Sequence, residues 1–332
     1  MRPSRRATAG RTTWDGGPLV PVRWCRDPVR LHNQQVPEFA SEGVTEVVAV
    51  GGAKLFTRRF GDPALPLLAV IHGGPTWDHS YLLPAVAELA DLAHVVLFDL
   101  RGCGRSSRTA PVGSLPVSAL QPDLLADDVA ALIGRYGAQR ADVLGFSYGG
   151  GIAIRVVDQH PGVVRRLILA STTAYPDQRA TADDRHQARP RPAIAWDDPE
   201  LTGPGAPDGA LSRAMAHAGA PADIWRHDRL EDWHRVLAQV SFSSDWNLPH
   251  TRGQLRPGCP ADAETVLQNW GGPVLILHGT QDATHPVSHA RKLHAAVPAS
   301  TLAEIPDAAH MAHFDDPLAW VAEIRRFLAP GT

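Results

Sequence analysis

Gly145-Phe146-Ser147-Tyr148-Gly149 follows directly on the apolar run Val143-Leu144 and precedes Gly150-Gly151-Ile152-Ala153-Ile154-Arg155-Val156-Val157, a segment of helical character. A serine between a short strand and a helix, with glycine two positions away on each side, reads as a nucleophile elbow. Such a turn is tight and strained, so the hydroxyl projects at the sheet edge. Gly145 and Gly149, having no Cβ, let strand and helix approach closely. The arrangement serves covalent catalysis. Taken alone, five residues also fit an ordinary strand-to-helix turn, so the surrounding sequence decides the reading.

Working outward, the apolar pattern alternates between strand-like and helix-like segments. Val44–Val50 and residues 55–60, separated by Gly51-Gly52, read as a hairpin. Strands are expected at 65–71, 95–98, 141–146 and 164–170, and helices at 80–89, at about 120–136 (Leu124, Leu125, Val129, Leu132 and Ile133 along one side) and after Ser147. The rhythm breaks over 175–264, where Pro, Gly, Asp and Arg are frequent and Trp196, Trp225, Trp233 and Trp246 sit among short helical stretches such as 222–240. It resumes with a strand at 274–277, a helix at 287–297, a strand at 301–305 and a helix at 318–328. The expectation is an α/β fold, a mostly parallel sheet covered by helices on both faces, with a helical insertion. The core then comprises residues 43–174 and 265–330, the insertion 175–264, and residues 1–42, rich in Arg, Pro and Gly without periodicity, a poorly ordered extension.

Serine is a weak nucleophile until a base takes its proton, and the base needs a carboxylate to hold its tautomer. Asp282, in His278-Gly279-Thr280-Gln281-Asp282, and His310, in Pro306-Asp307-Ala308-Ala309-His310, both follow strands on the side where the elbow emerges. The chain order Ser, Asp, His is that expected of such an elbow. Asp307 and His313 are rivals. Asp307, on the same short loop as His310, is better placed to cap its own turn, and His313 lies closer to the last helix, facing solvent or packing. Ser171-Thr172-Thr173 stand after strand 164–170, so no carboxylate occupies that strand end.

Charge developing on a substrate oxygen needs preorganised donors. His72-Gly73-Gly74-Pro75 follows strand 65–71, and its glycines let a backbone N–H turn inward. Gly74 and Tyr148 are the expected oxyanion donors. A plain turn also accounts for Gly-Gly-Pro by itself.

From about Val44 to Leu328 the chain resembles the α/β-hydrolases, and among them it is most similar to the proline iminopeptidase group. The residues that carry the resemblance are His72-Gly73-Gly74-Pro75, Asp99-Leu100-Arg101-Gly102-Cys103-Gly104-Arg105-Ser106, the elbow, and the Asp282 and His310 loops. The resemblance implies that the insertion is a lid. Two motifs depart from the group's usual pattern: the elbow is Gly-Phe-Ser-Tyr-Gly rather than Gly-Gly-Ser-Trp-Gly, and after His-Gly-Gly-Pro, Thr76 replaces a further glycine. The implied chemistry is therefore firmer than the implied substrate, since specificity sits in the lid.

Composition narrows the classes further. The formal net charge is -3 over 332 residues with no broad basic face, so no nucleic acid is expected. Three cysteines, far apart and odd in number, argue against a disulfide framework and a thiolate metal site. No apolar run reaches membrane-spanning length and no apolar stretch follows the N-terminal arginines, so the expectation is a cytoplasmic protein without membrane association. Gly102-Cys103-Gly104 lacks the third glycine of a dinucleotide loop, and the sixteen histidines form no His-Glu-x-x-His pattern. No cofactor and no metal are expected.

The expected partner is a small-molecule or short-peptide substrate: an ester, lactone or amide, with N-terminal proline release, carbon–carbon hydrolysis and a non-catalytic ligand receptor as alternatives. Asp223, Asp228, Glu231 and Asp232 in the insertion could bind a substrate ammonium, or form a solvated face. The insertion's tryptophans suit packing anchors as well as ligand contacts.

Overall fold

Along the central strands the buried side chains divide by twos. Val143 of the strand Ala141–Phe146, Leu167 and Leu169 of Val164–Ala170, and Val274 and Ile276 of Val274–Gly279 join one apolar cluster. Leu144 and Phe146, Ile168 and Ala170, and Leu275 and Leu277 join the other. This period of two, with apolar side chains turned to both faces, is the signature of strands covered on both sides. Each fully buried Val, Leu or Ile contributes roughly 1.5–3 kcal/mol relative to exposure.

The computed structural model describes residues 43–106, 115–175, 192, 194–195 and 197–329, all within one compact unit. The reading of 1–42 as a poorly ordered extension, and Trp196, lie outside the described residues. The strands are β1 (Val44–Val50), β2 (Ala53–Phe60), β3 (Leu67–Ile71), β4 (His94–Phe98), β5 (Ala141–Phe146), β6 (Val164–Ala170), β7 (Val274–Gly279) and β8 (Ser300–Ile305). They form one sheet in the order β1-β2-β4-β3-β5-β6-β7-β8. β2 is antiparallel to β1 and to β4; from β4 through β8 all pairs are parallel.

The helices are α1 (Leu83–Val86), α2 (Pro122–Arg135), α3 (Tyr148–Gln159), α4 (Pro199–Thr202), α5 (Ala210–Asp223), α6 (Leu230–Leu237), α7 (Asn247–Thr251), α8 (Ala263–Trp270), α9 (Val287–Ala296), α10 (Ala312–Asp315) and α11 (Pro317–Leu328). Apolar residues of α2, α3, α8 and α9 cover one face of the sheet. Those of α1, α5, α6 and α11 belong to the other cluster.

Two expected helices differ. Residues 80–89 form α1 flanked by 3₁₀ turns, His79–Leu82 and Ala87–Leu89, rather than one regular helix. The stretch 222–240 is broken: α5 ends at Asp223 and α6 starts at Leu230. The break has a physical cause, because the N–H groups of Trp225 and Arg226 donate to the Asp315 carboxylate at 2.9–3.0 Å instead of to helix carbonyls. Trp233 and Trp246 are fully buried, and Trp246 donates its indole N–H to the Arg101 carbonyl at 2.8 Å. Both anchor the helices between β6 and β7 to the rest of the unit.

Candidate active site

Ser147 joins β5 to α3 with φ 52 and ψ -120, one of three described non-glycine residues at positive φ. Such a conformation costs about 1–3 kcal/mol and persists only when its surroundings over-determine it. They do so here. The Ser147 N–H donates to the Ala170 carbonyl at 2.9 Å, while the Ser147 carbonyl accepts from Gly150 N–H at 2.9 Å and from the Thr172 hydroxyl at 2.6 Å. A Cβ on Gly145 would stand 2.3 Å from the Gly149 carbonyl oxygen, and one on Gly149 would stand 2.4 Å from that of Ile71. Neither glycine can be replaced without moving backbone.

His310 brings the three separated segments together. Its Nε2 lies 3.0 Å from Ser147 Oγ and its Nδ1 lies 2.8 Å from Asp282 Oδ2. The other carboxylate oxygen, Oδ1, accepts from the N–H groups of Thr284 at 2.8 Å and His285 at 2.9 Å. Burial alone would raise the Asp282 pKa; the charge and hydrogen bonds of His310 and His278 outweigh it and hold the group well below the carboxylate range. An ionised carboxylate on Nδ1 requires the hydrogen there, which leaves Nε2 free to accept the serine proton.

The loops after β7 and β8 are fitted to each other. Thr280 N–H donates to Ile305 O at 3.0 Å and Gln281 N–H to Ala308 O at 2.9 Å. Asp315 accepts from Ala309 N–H at 2.8 Å as well as from the α5–α6 linker, and Met311 N–H donates to the Asp223 carbonyl at 2.9 Å. Asp307 does not reach the imidazole: it is exposed in the turn with φ 51. His313 is buried among the rings of Tyr81, Phe146, Trp233 and Trp320.

The strap after β3 passes beside the serine. A Cβ on Gly73 would meet Ser147 Cβ at 2.8 Å, and Gly74 has φ +51 with Trp77 packed against it. The Gly73 N–H donates to Tyr81 Oη at 2.8 Å and is therefore already engaged. Tyr148 begins α3, so its N–H belongs to the first turn, whose donors have no intrahelical acceptor.

His72 secures the strap. Its Nε2 accepts from Leu100 N–H at 3.0 Å, so its hydrogen is on Nδ1, which donates to Gly73 O at 2.8 Å. Burial pushes its pKa down. Cys103, in the Gly102-Cys103-Gly104 turn, donates its thiol to Pro75 O at 3.0 Å.

Of the four acids singled out above, Asp228 pairs with Arg226 and Asp232 with Arg229 and Arg235, Glu231 is exposed, and Asp223 is buried. Sequence reading gave no role to Thr172, Tyr81 or His278. Thr172 and His278 both lie in quoted strand-end segments, but nothing in residue type or spacing marks a side chain that supports another.

Residues 66–317 match the model of the family described as the alpha/beta hydrolase fold. A proline iminopeptidase of Levilactobacillus brevis is 27% identical over 291 residues, spanning 82% of this chain and 92% of that protein. Among solved structures, the enol-lactonase from Burkholderia xenovorans LB400 superposes with a TM-score of 0.64 at 23% identity, covering 85% of this chain and 99% of the other. The esterase RhEst1 from Rhodococcus sp. ECU1013 superposes with a TM-score of 0.62 at 22% identity, covering 86% and 98%. With its sheet order, its elbow and a family match across most of its length, the chain belongs to the alpha/beta hydrolase fold family.

Proposed function

We propose that this protein is a serine hydrolase acting on a small ester, lactone or amide. The observation that carries the reading is the unbroken line of hydrogen-bond distances from Asp282 Oδ2 through His310 to Ser147 Oγ, at 2.8 Å and 3.0 Å. In this reading His310 Nε2 takes the Oγ proton as Ser147 attacks the substrate carbonyl carbon. The oxyanion is held by the N–H groups of Gly74 and Tyr148. His310 then gives the proton to the leaving alcohol or amine, and an acyl-enzyme remains on Ser147. Water enters, His310 takes one of its protons, and the hydroxide adds to the acyl carbon. Collapse breaks the bond to Oγ, which recovers the proton and frees the acid.

The helices between β6 and β7 act as a lid over the serine and carry substrate choice. N-terminal proline release is the second reading, favoured by the resemblance and by the proline iminopeptidase relative.

A fluorophosphonate should label Ser147 in the native protein and leave Ser147→Ala unlabelled. A panel of p-nitrophenyl esters, lactones and a proline arylamide under one condition then ranks the substrate classes. Full turnover in Ser147→Ala would reject the assignment.

A further inference from the structure

Resting on the serine hydrolase reading, we propose that His278 is a positioning residue: it fixes the Asp282 carboxylate and shares the oxygen that faces His310. His278 lies in β7, four residues before the acid, and is fully buried. Its Nε2 is 2.6 Å from the His285 carbonyl oxygen and 3.3 Å from Asp282 Oδ2. Both neighbours are acceptors, so the hydrogen sits on Nε2 and is shared between them. Nδ1 is buried with no hydrogen-bond partner, and a hydrogen there would be an unsatisfied donor. The tautomer is therefore set by the surroundings.

The consequence is a carboxylate held on all sides. Oδ1 accepts the N–H groups of Thr284 and His285; Oδ2 accepts His310 Nδ1–H and faces His278 Nε2 at 3.3 Å. His278 also grips the carbonyl of His285, the residue whose N–H holds Oδ1, so one imidazole secures both the acid and the turn that orients it. A side chain that only filled space would need neither contact.

Two effects follow. The carboxylate loses rotational freedom, which keeps Oδ2 in line with Nδ1 of His310. The second donor on Oδ2 also draws off part of its negative charge, which weakens its pull on the His310 imidazolium. Removing that donor strengthens the pull, and the acid limb of the labelling profile reads the change.

Other titratable groups around the pair leave that expectation in place. His285 stands 5.4 Å from His310, ring to ring, and with His313 is pushed by burial down to about 3, so neither titrates in the imidazole range. His289, on α9 beyond His285, contacts the Thr173 hydroxyl at 3.0 Å. Glu304, paired with His278 in the β7–β8 register, is held as a carboxylate by Arg291.

The test is the rate of fluorophosphonate labelling at Ser147 across the imidazole pH range, which requires no knowledge of the substrate. His278→Phe keeps bulk and removes the donor; it should label about 10- to 100-fold more slowly, short of the roughly 10⁴-fold loss that follows removal of a triad carboxylate. Its acid limb should move up by about half a pH unit or more. His278→Gln, whose amide nitrogen can stand where Nε2 stands, should recover to within about threefold of the native rate, with the native limb.

A folded His278→Phe protein with native rate and limb overturns the proposal, and so does a Gln variant as impaired as the Phe variant. Should His278→Phe fail to fold, His278→Asn, whose amide falls short of Oδ2, replaces it with the same expected slowing and limb shift, and a native profile there is equally fatal. Native protein that takes no label at Ser147 overturns the hydrolase reading itself, an outcome distinct from the others.

Discussion

The Thr172 hydroxyl donates to the Ser147 carbonyl at 2.6 Å, so the residue in the strained turn after β5 is tied to the segment that follows β6. Thr172 is 5% exposed, and a Cβ on Gly150 would meet its side chain at 2.4–2.5 Å. Thr172→Val preserves shape and deletes the donor. The Ser147 carbonyl keeps the Gly150 N–H, so the expected loss is about 1 kcal/mol of stability. Slower fluorophosphonate labelling should accompany it, because the turn relaxes toward an unstrained backbone. Denaturant unfolding and labelling rates check both, and an unchanged labelling rate would detach Thr172 from the elbow.

Gly279 governs how closely the acid loop approaches the base loop. A Cβ there would lie 2.4 Å from the carbonyl oxygens of both Ala308 and Ala309, immediately before His310. Neither contact can be relieved by a side-chain rotation. Gly279→Ala should therefore cost about 1–3 kcal/mol and widen the Asp282–His310 separation. The expected readout is a fall in kcat of roughly 100-fold from misplacement of reacting groups, with KM little changed. A variant with native kcat would show that the loops tolerate the displacement.

The elements and the three separated side chains were legible in the sequence because each rests on a local signal. Strands β5 and β6 came from continuous apolar runs, Ser147 from its flanking glycines, and Asp282 and His310 from their places after strands. What escaped were features set by groups distant in the chain. The break after α5 depends on Asp315, 90 residues beyond Trp225, and the strap depends on Leu100, 28 residues beyond His72. Tyr81 and His278 meet the backbone groups of Gly73 and His285 through side-chain hydrogen bonds, and one-dimensional spacing carries no record of those.

Tyr81 accepts the Gly73 N–H through Oη at 2.8 Å and is 2% exposed, and burial pushes its phenol pKa up, so it stays protonated. Tyr81→Phe leaves a buried N–H without its acceptor, a loss of about 1–3 kcal/mol. The strap also loses the contact that aligns Gly73 ahead of Gly74. The expected fall in kcat is about tenfold, smaller than the 100- to 1000-fold that removal of a direct oxyanion donor produces. Steady-state kinetics on whichever substrate the panel selects would measure it, and native kcat would separate the Gly73 contact from the placement of Gly74.

His313 links the packing around the site to acid sensitivity. Its ordinary pKa of 6.5 is pushed down to about 3, first by burial and then by the charge of His310. Between those values the unfolded chain binds a proton that the folded chain refuses. Stability is therefore complete above the unfolded value and is lost as pH falls toward the folded one. Near pH 5 the loss from this residue alone is about 2 kcal/mol. His313→Phe removes the titration, and although overpacking of the larger ring can lower stability at every pH by about 1–3 kcal/mol, that cost does not vary with acidity. His285, depressed in the same direction, is present in both proteins and cancels in the difference. Urea unfolding near neutrality and again near pH 5 should show the native protein losing more stability than the variant by about 2 kcal/mol. Equal losses in the two proteins would mean that His313 accepts a proton without leaving its aromatic surroundings.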